Sequence, residues 1–236
     1  MNKLLYLIDD DFQSQQAAKC DLLVHIGLET FQYAIIDNGR EQLKALAEFE
    51  IPAVHSQIEL LTAIENLPES SRQFKYSFNR IKISFDTFHY TFIPVDLYKE
   101  ENEQEYAKFI GATFESDVMV NTIRSTNIKN VIAIDSQLKQ ALNGIFQKPR
   151  IFNQASSFIE GIKKTHNKDQ ASSLFIDINT KQIQLAWLKN SELMFYNTFD
   201  CINADEFNYY LLNVLEQLDI DAEQTQVVLS GKVMSN

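Results

Sequence analysis

The residues best suited to bind a metal ion or to transfer protons are four histidines and a run of aspartates. His25, His55, His89 and His166 are separated by about thirty residues or more, and none follows the HxxxH or HExxH spacing that places two ligands on one helix face. A metal site would have to be assembled entirely by the fold. The Asp-Asp-Asp run at 9–11 could coordinate a cation, but an acidic run near a chain end is more typical of a solvated segment. The sequence therefore predicts no metal site.

Nucleophilic catalysis has little support in the sequence. There is no GxSxG motif, and no grouping of serine, histidine and aspartate stands out by its spacing. Cys20 and Cys201 lie far apart without CxxC spacing, which disfavours a zinc ribbon or a disulfide framework. We expect two reduced, buried thiols.

The composition disfavours two kinds of ligand. The 236-residue chain carries 21 Lys and Arg against 32 Asp and Glu, a net charge of -11, and so lacks the basic footprint that nucleic-acid binding needs. It contains only 6 glycines, whereas average usage is about 7% of residues. A glycine-rich phosphate loop therefore has no place in this sequence.

The apolar runs are too short to place the chain in a membrane. No window approaches the roughly 18 consecutive apolar residues of a membrane-spanning helix. The acidic run at 9–11 interrupts the N-terminal apolar stretch before that stretch could serve as a signal peptide. We expect a cytoplasmic protein with no membrane span.

The elements that must position any site begin with a predicted antiparallel meander. The apolar run at 22–26, the alternating stretch 31–35 and the segment 43–49 predict three strands. Asn38-Gly39 predicts a type I′ hairpin turn, because both residues tolerate positive φ.

The middle of the chain alternates between helix and strand signals. A capping box at 56–59 predicts a helix that ends near Pro68, and the segment 95–110, followed by Gly111, predicts an amphipathic helix. Strands are predicted within 74–93, at 119–125, 129–134 and 150–153, and further helices begin at Asp135 and around Phe158.

The opening pattern then returns. Aligned without a gap, His25 matches Asp177, Gln32 matches Gln184 and Asn38 matches Asn190, and a third strand and a helix follow as before. A last strand at 226–229 ends at Ser230-Gly231. A repeated unit of this kind predicts an α/β protein of two lobes, which we place at residues 1–112 and 113–236.

This order of elements resembles the actin-like ATPase superfamily, which has a ribonuclease H-like fold. The LLVHIGLETFQYAIID opening, the FIPVDLYKEENEQEYAKF stretch and the VVLSG ending are similar to an uncharacterised bacterial family within that superfamily. The resemblance implies a two-lobe α/β fold with a duplicated three-stranded meander. Similar folds continue past the final strand, so the second lobe is expected to be shortened or trimmed at its end.

The resemblance also implies where a nucleotide would bind. Active members have a glycine-rich phosphate-binding hairpin in each lobe and an acidic residue at the end of the first strand that holds magnesium. Matched residue by residue, the cofactor-binding candidates here are Gly27, Asp177, Thr180 and Gly231. His25 stands where the first lobe should have its acid, and the second hairpin lacks the glycines. These departures favour a vestigial site in which the four candidates serve turn geometry.

Two functions follow from these observations. The favoured one is a non-catalytic, pseudo-ATPase protein that needs no cofactor and acts as a binding or scaffold module, through a protein partner or self-association. The alternative is a divergent ATP-binding phosphotransferase or ATPase that uses ATP with magnesium in the interlobe cleft, with Asp177 in the second hairpin. A sensor of an uncharged small molecule is a third, weaker hypothesis.

Overall fold

The computed structural model describes residues 2–51, 59, 60, 62, 74–166 and 168–232. The helix predicted from the capping box at 56–59 lies mostly outside these residues. The strands are β1 (Asn2–Ile8), β2 (Cys20–Ile26), β3 (Thr30–Asp37), β4 (Gln42–Glu50), β5 (Arg80–Phe85), β6 (Tyr90–Pro94), β7 (Ser116–Ile123), β8 (Ile128–Asp135), β9 (Arg150–Asn153), β10 (Ser172–Ile178), β11 (Gln182–Lys189), β12 (Glu192–Asp200) and β13 (Gln226–Gly231). The α-helices of the described residues include α1 (Glu103–Phe109), α2 (Ser136–Ile145), α3 (Gln154–Thr165) and α4 (Ala204–Gln217).

The chain folds into two compact units. The first comprises Met1–Ile123 and Asn127–Ser157, and the second comprises Arg124–Thr126 and Phe158–Asn236. The lobe boundary predicted between residues 112 and 113 thus falls inside the first unit. The reason is that β9 pairs in parallel with β5, so a strand from well beyond residue 113 completes the first sheet.

The first unit contains a six-stranded sheet in the order β1-β4-β3-β2-β5-β9. Its centre is the predicted meander β2-β3-β4. The sequence pattern did not reveal β1, which pairs antiparallel with β4. Leu4, Leu5 and Leu7 of β1 are exposed, so the strand lacks the clear apolar and polar alternation by which edge strands are detected.

The turn between β3 and β4 differs from the prediction. Asp37 pairs with Gln42, which leaves a four-residue loop where a two-residue type I′ turn at Asn38-Gly39 was expected. The Asp37 carboxylate accepts hydrogen bonds from two backbone N–H groups of the loop, at 3.0 and 3.1 Å. Glu41 takes the positive φ, 53°. The aspartate side chain thus organises this loop as an Asx-type turn.

The second unit contains a four-stranded sheet in the order β12-β11-β10-β13. Its first hairpin repeats the register of the first unit, because Gln32 pairs with His25 and Gln184 pairs with Asp177. The next pair of strands carries a one-residue register shift at the matching place in each unit, just after Ile35 and just after Trp187. The predicted duplication of the meander is confirmed.

The duplication extends to the strand that pairs in parallel with the first strand of each meander. β5 runs parallel to β2, with Ser84 beside His25, and β13 runs parallel to β10, with Ser230 beside Asp177. Ser84 and Ser230 therefore occupy equivalent positions.

A small sheet in the order β6-β8-β7 completes the first unit. The helix predicted over 95–110 is shorter than expected, because Lys99 has extended dihedrals and separates two single 3-10 turns that precede α1. Gly111 follows α1 with a φ of 76°, as a C-terminal glycine should.

Each unit has its own apolar core. In the first, Phe31, Tyr33 and Phe49 of the meander cluster with Leu138 and Phe146, which lie on or just after α2. In the second, β10 and β11 pack against α4 on one face, and Ile162 of α3 packs on the other. Cys20 and Cys201 are buried free thiols, as predicted.

Candidate functional site

The first hairpin, between β2 and β3, is closed by its own backbone. The N–H of Gly27 donates a 2.8 Å hydrogen bond to the carbonyl of Thr30. A Cβ at residue 27 would lie 3.0 Å from the Thr30 hydroxyl and 3.4 Å from Asp86 Oδ2. The space beside Gly27 is therefore filled by a hydroxyl and a carboxylate of the same unit.

His25 occupies the first-lobe position at which the resemblance implies an acid. Its Nε2 lies 3.6 Å from Asp86 Oδ1, and Asp86 follows directly after β5. The backbone N–H of Asp86 donates to the carbonyl of Ile26 at 3.0 Å. A carboxylate is thus present beside this hairpin, but it comes from the neighbouring parallel strand.

The second hairpin, between β10 and β11, has the same closure. The N–H of Asn179 donates to the carbonyl of Gln182 at 2.8 Å, as Gly27 does to Thr30 in the first unit. Thr180 lies in this turn and is exposed.

Asp177, at the end of β10, accepts hydrogen bonds on both carboxylate oxygens. Oδ1 accepts from the Ser230 hydroxyl at 2.7 Å, and Oδ2 accepts from Asn179 Nδ2 at 3.1 Å and from Gln184 Nε2 at 3.3 Å. The carboxylate is half-buried. Three of the roughly four positions at which a carboxylate can accept a hydrogen bond are therefore taken by neighbours in the unit.

A polar chain behind Asp177 fixes one of these neighbours. The Oε1 atom of Gln184 accepts from the Tyr196 hydroxyl at 2.7 Å, and that hydroxyl lies 3.1 Å from Thr198 Oγ1. The Gln184 amide is thereby oriented with its Nε2 toward Asp177. This support comes from β12, the third strand of the meander.

Gly231 ends β13 beside Ile178. Its φ is 85°, and a Cβ at this position would lie 2.1 Å from the Ile178 carbonyl oxygen, so no side chain fits. The next N–H, of Lys232, donates to that same carbonyl at 2.7 Å. Gly231 is thus required by the close approach of two strands.

Of the four predicted site residues, the structure places Asp177 and Gly231 close to each other. Asp177 and Gly231 lie on neighbouring strands, one register position apart. Gly27 belongs to the other unit, beside His25 and Asp86. Sequence reasoning missed Asp86 and Ser230 as neighbours of the strand-end positions, because the parallel pairing of β5 with β2 and of β13 with β10 brings them there.

The remaining histidines and aspartates do not converge. His89 Nδ1 lies 2.8 Å from the carbonyl oxygen of Ile110, and Asp9 forms a 2.7 Å ion pair with Lys44. His55 lies outside the described residues. Within the part of the chain that the structure describes, no group of three or more His, Cys, Asp or Glu side chains could hold a metal ion.

The sequence profile of a protein family of unknown function, DUF3822, matches residues 9–236. The chain belongs to the DUF3822 family. A comparison with curated protein sequences gives no significant match.

Solved structures show which fold this DUF3822 chain has. A Bacteroides thetaiotaomicron protein, described as having an actin-like ATPase fold and unknown function, superposes with a TM-score of 0.84 at 21% identity, over 95% of this chain and 86% of that one. A structure described as the PilM–PilN type IV pilus biogenesis complex superposes with a TM-score of 0.55 at 13% identity, over 85% of this chain and 66% of that one. The DUF3822 chain therefore has the α/β actin-like ATPase fold, as predicted from the order of its elements.

None of the helices in the described residues of this DUF3822 chain has both the length and the apolar character needed to cross a membrane.

Proposed function

We propose that this protein is a non-catalytic member of the actin-like ATPase fold, a pseudo-ATPase that acts as a binding or scaffold module. The observation that carries the proposal is the state of Asp177, whose two oxygens accept hydrogen bonds from Ser230, Asn179 and Gln184. A carboxylate engaged in this way must lose protein partners before it can hold magnesium or its waters.

The surroundings of the two hairpins support the same proposal. In the first, Glu29 lies in the turn and the Asp86 carboxylate lies beside Gly27, so a phosphate would meet negative charge. In the second, Asn179 and Lys181 stand at turn positions where a close backbone approach to phosphate favours glycine. The residues present therefore do not fit ATP with magnesium.

The positions of Thr180 and Gly231 agree with a vestigial site. Thr180 is exposed in its turn, and the close approach of the Ile178 carbonyl by itself requires a glycine at position 231. Gly231 therefore has a structural reason to be a glycine.

A role in protein binding is supported by the use of this fold elsewhere. One similar structure is described as a complex of two pilus-biogenesis proteins, so the fold can serve protein assembly. For this chain we propose protein binding, but no role in pilus biogenesis.

Isothermal titration with ATP and magnesium tests the proposal. We expect no saturable heat up to millimolar nucleotide for the wild-type protein. The Asp177→Asn variant is then titrated beside Asp200→Asn, a matched charge change at the exposed end of β12. Micromolar binding that Asp177→Asn abolishes and Asp200→Asn preserves would contradict the vestigial site and favour the divergent ATP-binding protein.

A further inference from the structure

The chain contains two Asn-Gly pairs, and the structure places them in different backbone settings. Asn38-Gly39 lies in the loop between β3 and β4, whereas Asn143-Gly144 lies near the end of helix α2. All four residues are exposed. An asparagine loses its side-chain amide most readily before glycine, because glycine has no side chain to hinder attack of its backbone nitrogen on the asparagine Cγ. The two pairs therefore share a reactive sequence but differ in conformation.

The loop pair has a proton acceptor beside the nitrogen that would attack. The N–H of Gly39 donates a 3.0 Å hydrogen bond to Oδ1 of Asp37. A carboxylate that accepts an N–H group at this distance can also receive its proton. Residues 38–41 lie between the paired residues Asp37 and Gln42, so rotation of the backbone at Asn38 breaks no pairing of β3 with β4. The loop thus permits the approach of the Gly39 nitrogen to the Asn38 side chain.

The helical pair is held by its secondary structure. In an α-helix each N–H is donated to the carbonyl four residues earlier, so the Gly144 nitrogen faces a group that cannot take up a proton. Nδ2 of Asn143 donates to the carbonyl of Lys139 at 2.9 Å. The helical pattern continues past the pair, because the N–H of Phe146 donates to the carbonyl of Leu142 at 2.9 Å. The last turn of α2 must therefore open before Asn143 can react.

The Asn38 side chain also belongs to a charged cluster around Asp21. Asp21 is buried and forms a 2.7 Å ion pair with Arg80, and it accepts a hydrogen bond from Asn79 Nδ2 at 3.0 Å. The side chain of Asn38 donates a further hydrogen bond to the same carboxylate. Because Asp21 of β2 and Arg80 of β5 are register partners, the cluster ties these two strands together.

We propose that Asn38 is a site of spontaneous deamidation, and that its conversion loosens the cluster around Asp21. The Gly39 nitrogen forms a bond to Cγ of Asn38, its proton passes to the Asp37 carboxylate, and the side-chain nitrogen leaves with that proton as ammonia. Water then opens the succinimide ring at either carbonyl and gives aspartate or isoaspartate. The product replaces a hydrogen-bond donor to Asp21 by a negative charge, which repels the Asp21 carboxylate.

Peptide mapping of the intact protein, incubated in neutral buffer over several weeks, tests the proposal. Trypsin cleaves after Lys and Arg and releases residues 20–40 and 140–150, each of which contains a single asparagine. Mass spectrometry then follows the conversion of both Asn-Gly pairs in the same sample. We expect Asn38 to convert at least about tenfold faster than Asn143, because the helix must open before Asn143 reacts.

Three controls separate the steps of the argument. In protein held unfolded by concentrated urea, the two pairs are expected to convert at similar rates, which assigns the difference to the fold. Asp37→Asn keeps an acceptor for the Gly39 N–H but cannot take its proton, so it should slow the conversion of Asn38 and leave that of Asn143 unchanged. Asn38→Asp supplies the product directly. It should lower the urea midpoint in the wild-type background and by much less in the Asp21→Asn background, where the opposing charge is gone.

Equal conversion of the two pairs in the folded protein would overturn the proposal, and so would a folded protein in which Asn38 stays intact while the unfolded sample converts. An unchanged rate at Asn38 in Asp37→Asn would exclude that carboxylate as the proton acceptor. An equal loss of urea midpoint from Asn38→Asp in both backgrounds would show that the new charge does not act on Asp21. None of these outcomes bears on the ATP titration, since no nucleotide is present.

Discussion

The hydroxyl of Ser230 donates a 2.7 Å hydrogen bond to the carboxylate of Asp177 across two parallel strands. The equivalent residues of the first unit, Ser84 and His25, are also register partners. There the Ser84 hydroxyl is buried and has no hydrogen-bond partner within the described residues. At this equivalent position, the serine hydroxyl has a hydrogen-bond partner in the second unit and has none among the described residues in the first.

This difference predicts opposite effects of the same substitution. We expect Ser230→Ala to lower the free energy of unfolding by about 0.5–1.5 kcal/mol, because a hydrogen bond to a carboxylate is lost. Ser84→Ala should leave it unchanged or raise it, because it removes a buried group that is unsatisfied. Urea unfolding of both variants and the wild type measures the two changes. A larger loss for Ser84→Ala than for Ser230→Ala would contradict this account.

Gly231 offers a test of the close approach between β13 and β10. A methyl group at this position would lie 2.1 Å from the Ile178 carbonyl oxygen at a φ of 85°, so we expect Gly231→Ala to destabilise the protein by about 1–3 kcal/mol. Gly144→Ala is the matched control, since nothing lies within 4 Å of a Cβ there. In helix α2 the added methyl should stabilise by about 0.5–1 kcal/mol. Thermal unfolding distinguishes the two, and equal midpoints would refute the steric argument.

The order of elements could be predicted from the sequence because the two meanders carry the same alternation. His25, Gln32 and Asn38 align without a gap on their partners 152 residues later, and the structure reproduces that hairpin register. The prediction of a two-residue turn at Asn38-Gly39 was wrong, because the side chain of the preceding Asp37 accepts hydrogen bonds from two N–H groups of the loop. Local side-chain hydrogen bonding overrode the propensity of the Asn-Gly pair.

The neighbours of the candidate site could not be predicted in the same way. Asp86 and Ser230 reach the hairpins through parallel pairing, which links residues more than fifty positions apart. The alternation of one strand carries no information about the register of a parallel neighbour. The missing acid at His25 was visible in the sequence, but the carboxylate of Asp86 beside it required the structure.

His166 predicts a pH dependence of stability. Burial, and after it the nearby charge of Lys163, lowers the pKa of His166 below its usual value of 6.5. The side chain packs edge-on against Phe175. The unfolded chain therefore binds a proton more readily than the folded one. The resulting stability is present above pH 6.5 and is lost as the pH falls through the pKa of the folded state.

Urea unfolding between pH 5 and pH 8 measures this effect. We expect the free energy of unfolding to fall toward pH 5 more steeply in the wild type than in His166→Phe, which has no imidazole to protonate. His89→Phe serves as the control, because His89 is exposed. Identical pH profiles for the wild type and His166→Phe would show that the buried imidazole is not the cause.

Asn153 lies at the junction between β9 and α3. Among polar substitutions in the first unit, we expect replacement of Asn153 to cause the largest loss of stability. Its Oδ1 accepts from the backbone N–H of Ser156 at 3.2 Å, in the manner of an N-cap, and from Asn130 Nδ2 at 2.6 Å. All three side chains are buried. Asn153→Ala removes the cap and leaves the Asn130 amide short of a partner, so we expect a loss of about 2–4 kcal/mol. Asn143→Ala, on the exposed face of α2, should change the stability by less than about 0.5 kcal/mol. If denaturant unfolding gave Asn153→Ala a cost as small as that of Asn143→Ala, the buried amide pair would not be what anchors α3 to the sheet.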